Sequence, residues 1–414
     1  MHAEPLCCYR PQVDAAKDFA SLPYDVFNRT EAAEYVEKHP NSFLAIDRPE
    51  TAFEPDHDMY APDVYAKASE LLWQRIDNGT LVRDGTNCYY LYRLIQGDRE
   101  QTGIVTACWV DDYTNGIIRR HELTQPKKEL DRVNHIKATG CQTGPVFLVH
   151  RDNSVLEALV EAAKAADPLY DFVDEQGVRQ TVWRISKPAA VESFRSMLEY
   201  ISRAYIADGH HRAASAVRVC QELRTENPDD DVNAPYNRFL AVLFPASQLT
   251  VLPYNRIVLD TNGLNESELV AHIADAGFSV GPRSHEPVAP AKKGVFGMYA
   301  FGAWRTLTLV ADRPTGAVES LDVQVLQDRV LSPVLNIDDP RTNPRIRFVG
   351  GNEGTEGLER RAGETGVAFS LKATSVDELM NVADAGLLMP PKSTWFEPKL
   401  LSGLFIRRIA TAES

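Results

Sequence analysis

The stretch AYIADGHHRAASAV, residues 204–217, decides how the chain is read. AYIA is a short β-type run, Asp208-Gly209 is a turn, and HHRAASAVRVCQEL is alanine-rich with its apolar residues at helical spacing. Strand, tight turn and helix in that order aim backbone N–H groups, and about half a positive charge of helix dipole, at one point where an anion is stabilised. Gly209 lets the backbone come close, and Arg212 can fork two hydrogen bonds onto phosphate oxygens. His210 or His211 can donate hydrogen bonds or carry protons near neutral pH. Asp208 fits two roles, catalytic carboxylate or helix cap. Adjacent helical residues point roughly 100° apart, so His210 and His211 do not chelate one ion together, and no metal ligands are assigned.

The bulk of the chain bounds these readings. It has 414 residues, 44% hydrophobic and 25% charged, enough for two or three packed units. Its net charge of -14 repels a phosphate backbone and disfavours nucleic acid as a partner. The best apolar run, NRFLAVLFPASQLTVLP, is broken by polar residues and prolines, so no membrane span is expected. The start, MHAEPLCCYRPQV, lacks a basic region followed by an apolar core, and a cytosolic location is expected. Six cysteines without a CxxC pair read as reduced, mostly buried thiols.

Along the chain, NCYYLYRLIQ and QTGIVTACWV flank GDRE as a hairpin, SVLEALVEAAKAA is a helix with Ser154 as its cap, and RFLAVLF and LTVLPYNRIVL read as central strands. RRHELTQPKKELDR, 119–132, is too charged for core. It offers Glu122 or Asp131 as the carboxylate that a phosphoryl-transfer site needs, and His121 and Arg132 as phosphate ligands. A surface helix laced with ion pairs is the plainer reading of the same pattern. PYDV places Asp25 behind Pro23, as a pocket wall or a simple turn. Near the end, MPPKSTWFEPK presents Lys392, Ser393, Thr394 and Lys399, groups suited to phosphate, without the spacing of a P-loop.

These motifs together carry a family resemblance. ADGHHR, with PYDV, RRHELT followed by DR, LPYNR, LDVQVLQ and MPPKSTWFEPK, resembles over nearly the whole chain the bacterial and archaeal family called domain of unknown function 1015. That family is similar in turn to the ParB/sulfiredoxin-like superfamily, whose Gly-x-x-Arg turn matches Gly209, His210, His211 and Arg212 here. The resemblance implies an α+β fold with a ParB/sulfiredoxin-like core over residues 1–260. A smaller α/β unit over 261–414 is expected to follow, its tail returning to the site.

For function, the resemblance implies that the turn holds a nucleotide or phosphorylated small molecule, with ADP or ATP and Mg2+ as the expected cofactors. The activity expected is a phosphotransferase or phosphohydrolase on a small hydroxy metabolite, serine or phosphoserine being favoured by the free-serine kinases that share the fold. A nucleotide-responsive regulator of ParB type is the alternative. His210 stands where sulfiredoxins carry their reactive cysteine, which argues against sulfinic-acid reduction. Tyr254, Asn255 and Arg256 of LPYNR are expected to line the substrate pocket, with Asn255 where the family often has histidine.

Overall fold

RFLAVLFP, Arg238–Pro245, folds as a strand in which every residue is buried. An apolar run with no polar face has to be covered on both sides, and it lies in the middle of a nine-stranded mixed sheet. In chain order the strands are β1 (Ala3–Glu4), β2 (Tyr89–Gln96), β3 (Arg99–Trp109), β4 (Ile118–Arg119), β5 (Val146–His150), β6 (Tyr170–Val173), β7 (Arg179–Ile185), β8 (Ala204–Asp208) and β9 (Arg238–Pro245). Their order across the sheet is β4-β8-β5-β9-β3-β2-β7-β6, with β1 also on β3. Two pairings are parallel, β4 with β8 and β5 with β9. The fold is mixed α+β.

The structure is a computed structural model, and it describes residues 1–409. The chain divides into two units, Met1–Leu249 with the segment that starts at Pro398, and Thr250–Glu397. In the first unit, helix α1 (Pro126–Thr139) and helix α2 (His210–Glu226) share one apolar core with the sheet. Val133 and Ile136 of α1, Ala213 and Val217 of α2, and Leu148 and Leu243 of the strands all belong to it. Each fully buried aliphatic side chain of this size contributes about 1.5–3 kcal/mol, so this core holds both helices against the sheet. Asn153, not Ser154, caps the helix Ser154–Ala163, its side chain accepting from Val155 N and Leu156 N.

The second unit carries a six-stranded sheet in the order Phe278–Val280, Ala303–Leu309, Val295–Ala300, Val367–Leu371, Tyr254–Val258, Ile346–Gly350. Every pairing in it is antiparallel, which corrects the expectation of an α/β unit. The hairpin closed by Phe301–Gly302 forces neighbouring strands to run in opposite directions, and alternation of helix and strand along a sequence does not show that. LTVLPYNRIVL is not one strand. Pro253 divides it into Thr250–Leu252, paired with Trp395–Glu397, and Tyr254–Val258 in the sheet. Among the described residues no helix is long and apolar enough to cross a membrane.

Candidate phosphate site

Strand β8 ends in a register shift between Ile206 and Asp208, a bulge that re-aims the residues after it. Gly209 then takes φ 90°, ψ 31°, the left-handed region, and serves as the N-cap of α2 without any side-chain cap bond. Asp208 is therefore not the cap. Its Oδ1 accepts from Gly209 N at 2.7 Å, its Oδ2 from Lys399 Nζ at 3.0 Å, and Arg212 lies 3.9 Å away. Burial alone would raise the Asp208 pKa, but the charges of Lys399 and Arg212 and these hydrogen bonds override it and hold the carboxyl below its usual range. Arg212 also donates to the Pro145 carbonyl and folds back over Gly209, where an added Cβ would lie 3.0 Å from its Nε.

The two histidines of the turn differ. His211 Nε2 accepts from Gln125 N at 2.9 Å, where Gln125 is the N-cap of α1, so this ring ties the starts of the two helices together. His210 is buried and, among the described residues, its Nε2 has no hydrogen-bond partner. It packs on His121, ring centroids 4.6 Å apart and planes at 88°. His121 is buried as well, and its Nδ1 also has no partner among the described residues, while the ring bonds the Ile206 backbone. Burial drives both imidazoles toward the neutral form, His121 down to about 4 and His210 well below its ordinary value. The Asp208 charge acts on both in the opposite sense. Glu122 completes the group, and the ligand atoms of His121, Glu122 and His210 all lie within 4.8 Å of one another.

Arg132, on α1, is held by carboxylates on both sides: Asp131 Oδ2 lies 2.8 Å from one Nη and Asp47 Oδ1 3.5 Å from the other. Its guanidinium stacks 4.1 Å over the Tyr24 ring. Asp131 further accepts from the Tyr65 hydroxyl at 3.0 Å. Two open cavities meet here. One, about 410 Å3, is lined by Arg212, Arg132, Tyr24, Thr143 and Gly144; the other, about 620 Å3, by Asp25, Asp131, Lys128, Arg132 and Tyr24. Tyr24 and Arg132 belong to both linings. Sequence reasoning missed Asp47, Thr143 and Gly144; the GP step at 144–145 was the one local signal of a turn there.

The remaining candidates sit in the second unit and are used by its own packing. Asn255 is buried and its Oδ1 accepts from Leu371 N at 3.1 Å. Arg256 is buried and donates to the carbonyls of Tyr254 and Pro391. The Tyr254 ring packs edge-on to Trp395, and Lys392 Nζ lies 5.7 Å over it. The Ser393 hydroxyl donates to Pro390 O at 2.7 Å, and Thr394 follows it before the strand Trp395–Glu397. Of the MPPKSTWFEPK groups, Lys399 alone belongs to the first unit.

A mixed-sheet α+β protein with a glycine-opened turn, two arginines on one cavity and a buried histidine pair defines the class. The chain belongs to the family described as protein of unknown function (DUF1015), which matches residues 3–324. No curated protein matches. Among solved structures it is similar to a mutant free serine kinase in complex with AMP, at 15% identity and a TM-score of 0.35, covering 71% of this chain and 87% of that one. It is also similar to SbnI with C-terminal truncation from Staphylococcus aureus, at 12% identity and a TM-score of 0.38, covering 75% and 90%. A conserved hypothetical protein from Pyrococcus furiosus matches at 16% identity and a TM-score of 0.35, covering 74% and 95%.

Proposed function

We propose that the protein transfers or removes a phosphoryl group on a small hydroxy metabolite, with a nucleotide or phosphate held at the Asp208–Arg212 turn. One observation carries this reading: the cavity beside Arg212 and the cavity beside Asp131 share Arg132 and Tyr24 as a common wall. Phosphoryl transfer needs little covalent help from a protein. It needs two oxygens brought into line and charge neutralised between them. Arg212 and Arg132 supply that charge to phosphate oxygens in the first cavity, while Asp131 orients an acceptor hydroxyl in the second. Arg132 is pre-positioned by Asp47 and Asp131, so it loses little freedom when an anion arrives.

ADP or ATP with Mg2+ is the donor in this reading. Asp25 and Asp131, on the second cavity, provide oxygen ligands of the type Mg2+ takes. Serine or phosphoserine as the metabolite rests on the sequence resemblance to a fold that includes free-serine kinases. His211, engaged with Gln125, and Asn255, engaged with Leu371, have no chemical role in this scheme.

Isothermal titration with ADP, ATP, serine and phosphoserine, with and without Mg2+, tests it, followed by a phosphate-release and phosphoserine-formation assay. Micromolar nucleotide binding that is weakened at least tenfold in Arg212→Lys supports the site. Binding of none of the four rejects the reading, and nucleotide binding without turnover replaces it with a regulatory one.

A further inference from the structure

The histidine pair has no use in phosphoryl transfer as described, and packing does not explain it either. A buried polar atom without a hydrogen bond costs about 1–3 kcal/mol, and two of them, His121 Nδ1 and His210 Nε2, occur in one cluster. His121 is 2% exposed and His210 7%. The cluster is assembled by pairing: β4 runs parallel to β8, Ile118 opposite Ala204, which carries the residues just after β4 to the start of α2. The bond from the His121 ring to the Ile206 backbone leaves Nδ1 as the nitrogen that points at its neighbours. A ligating histidine is held in this way, with one nitrogen on a backbone group and the other on the ion.

We propose that His121, Glu122 and His210 form a binding site for a divalent transition-metal ion of the Zn2+ type. Two imidazoles and one carboxylate are the donor set of borderline ions. Mg2+ and Ca2+ prefer all-oxygen shells, and Cu(I) prefers sulfur. The ligand atoms, within 4.8 Å of one another, have to close to about 3.3 Å for bonds of roughly 2.0–2.1 Å in a tetrahedron. Glu122 is only partly buried, and small rotations of its side chain and of the two imidazoles have to cover that distance. Three protein ligands leave a position open, as in sites where the ion binds a water or a substrate oxygen. His210 follows Gly209 directly in the chain, and a phosphate oxygen captured at that turn is the fourth ligand this proposal predicts.

The proposal stands apart from the nucleotide reading, because metal binding is measured with no nucleotide present. Full-length protein stripped with a chelator is dialysed against Zn2+, and bound metal is counted by mass spectrometry. Titration and thermal unfolding are run alongside. Expected are close to one equivalent per chain, a Kd of about 1 μM or below, and a higher unfolding midpoint with Zn2+. Co2+ loading should give visible d–d bands of a low-coordinate site. His121→Ala and His210→Ala should each weaken binding at least 100-fold and abolish the midpoint shift. Should either fail to fold, Glu122→Gln, at a partly exposed position, is expected to weaken binding at least tenfold with the fold retained. Less than a fifth of an equivalent in the wild type, or one equivalent retained at unchanged affinity in Glu122→Gln and in whichever histidine variants fold, overturns the proposal.

Discussion

Replacing Gly209 with alanine tests whether the turn is built around Arg212. Two costs are readable from the structure. The first is conformational: at φ 90° an L-residue loses about 1–2 kcal/mol, of which the reduced freedom of the unfolded chain returns about half. The second is steric, because the new Cβ would lie 3.0–3.1 Å from Nε, Cζ and Nη2 of Arg212 and push the guanidinium off its place. That loosens its charge-assisted bond to the Pro145 carbonyl and its pairing with Asp208, about 1–2 kcal/mol more. Gly79 provides the control, since its φ is +80° and no atom lies within 4 Å of an added Cβ. Gly79→Ala should therefore cost about 1 kcal/mol and Gly209→Ala about 2–3, measured as urea midpoints by circular dichroism. Titration should show ADP or phosphate affinity at least tenfold weaker in Gly209→Ala and unchanged in Gly79→Ala. Equal midpoints for the two variants, with wild-type affinity in both, would refute the reasoning.

Three other outcomes follow from described contacts. Lys399→Met removes a partner whose side chain is 16% exposed from one that is 29% exposed, so it should cost about 1–2 kcal/mol at pH 7, between surface and buried pairs. The depressed Asp208 pKa gives stability present above about pH 4 and lost as pH falls through the folded value, so the gap in urea midpoint between wild type and Lys399→Met should still be present near pH 4 and narrow only as the pH is taken well below it. His135, which donates to Ile46 O at 2.9 Å, is pushed down by burial and then by the charge of Arg132. Its neutral form is favoured in the fold, so stability is full above about pH 6.5 and declines below it; His135→Gln should flatten urea midpoints between about pH 6.5 and 5, and an unchanged slope contradicts this. Asn255→Ala should cost about 1–3 kcal/mol by orphaning Leu371 N and leave nucleotide titration unchanged; a tenfold affinity loss at full stability would return Asn255 to a ligand pocket.

The part of the site that is contiguous in sequence was legible from it. Residues 204–226 read as strand, turn and helix because alanine, glycine and β-branched residues state those preferences within a few positions. Asp208 as an alternative cap failed because the bulge before it turns its carboxylate back toward Gly209 N, and a bulge depends on the partner strand. His121 and His210 are 89 positions apart, and a two-residue strand, Ile118–Arg119, brings them together; that is too short for any periodicity to reveal. Asn255 looked like a pocket residue because a polar group in an apolar strand invites that reading. Its partner, Leu371 N, is fixed by strand register alone. For the same reason the antiparallel second unit could not be told from an alternating one.

Lys399 reaches Asp208 from a segment that rejoins the first unit only after the whole second unit has been traversed. During synthesis, then, β8 and α2 leave the ribosome with the Asp208 carboxylate lacking one of its two cations. The first unit cannot complete this corner until translation has passed residue 399, and the same C-terminal segment goes on to pair Arg407–Arg408 with Cys141–Gln142. A chain cut short inside the second unit therefore lacks Lys399 at this corner and leaves the Asp208 carboxylate with Arg212 as its one nearby cation among the described residues.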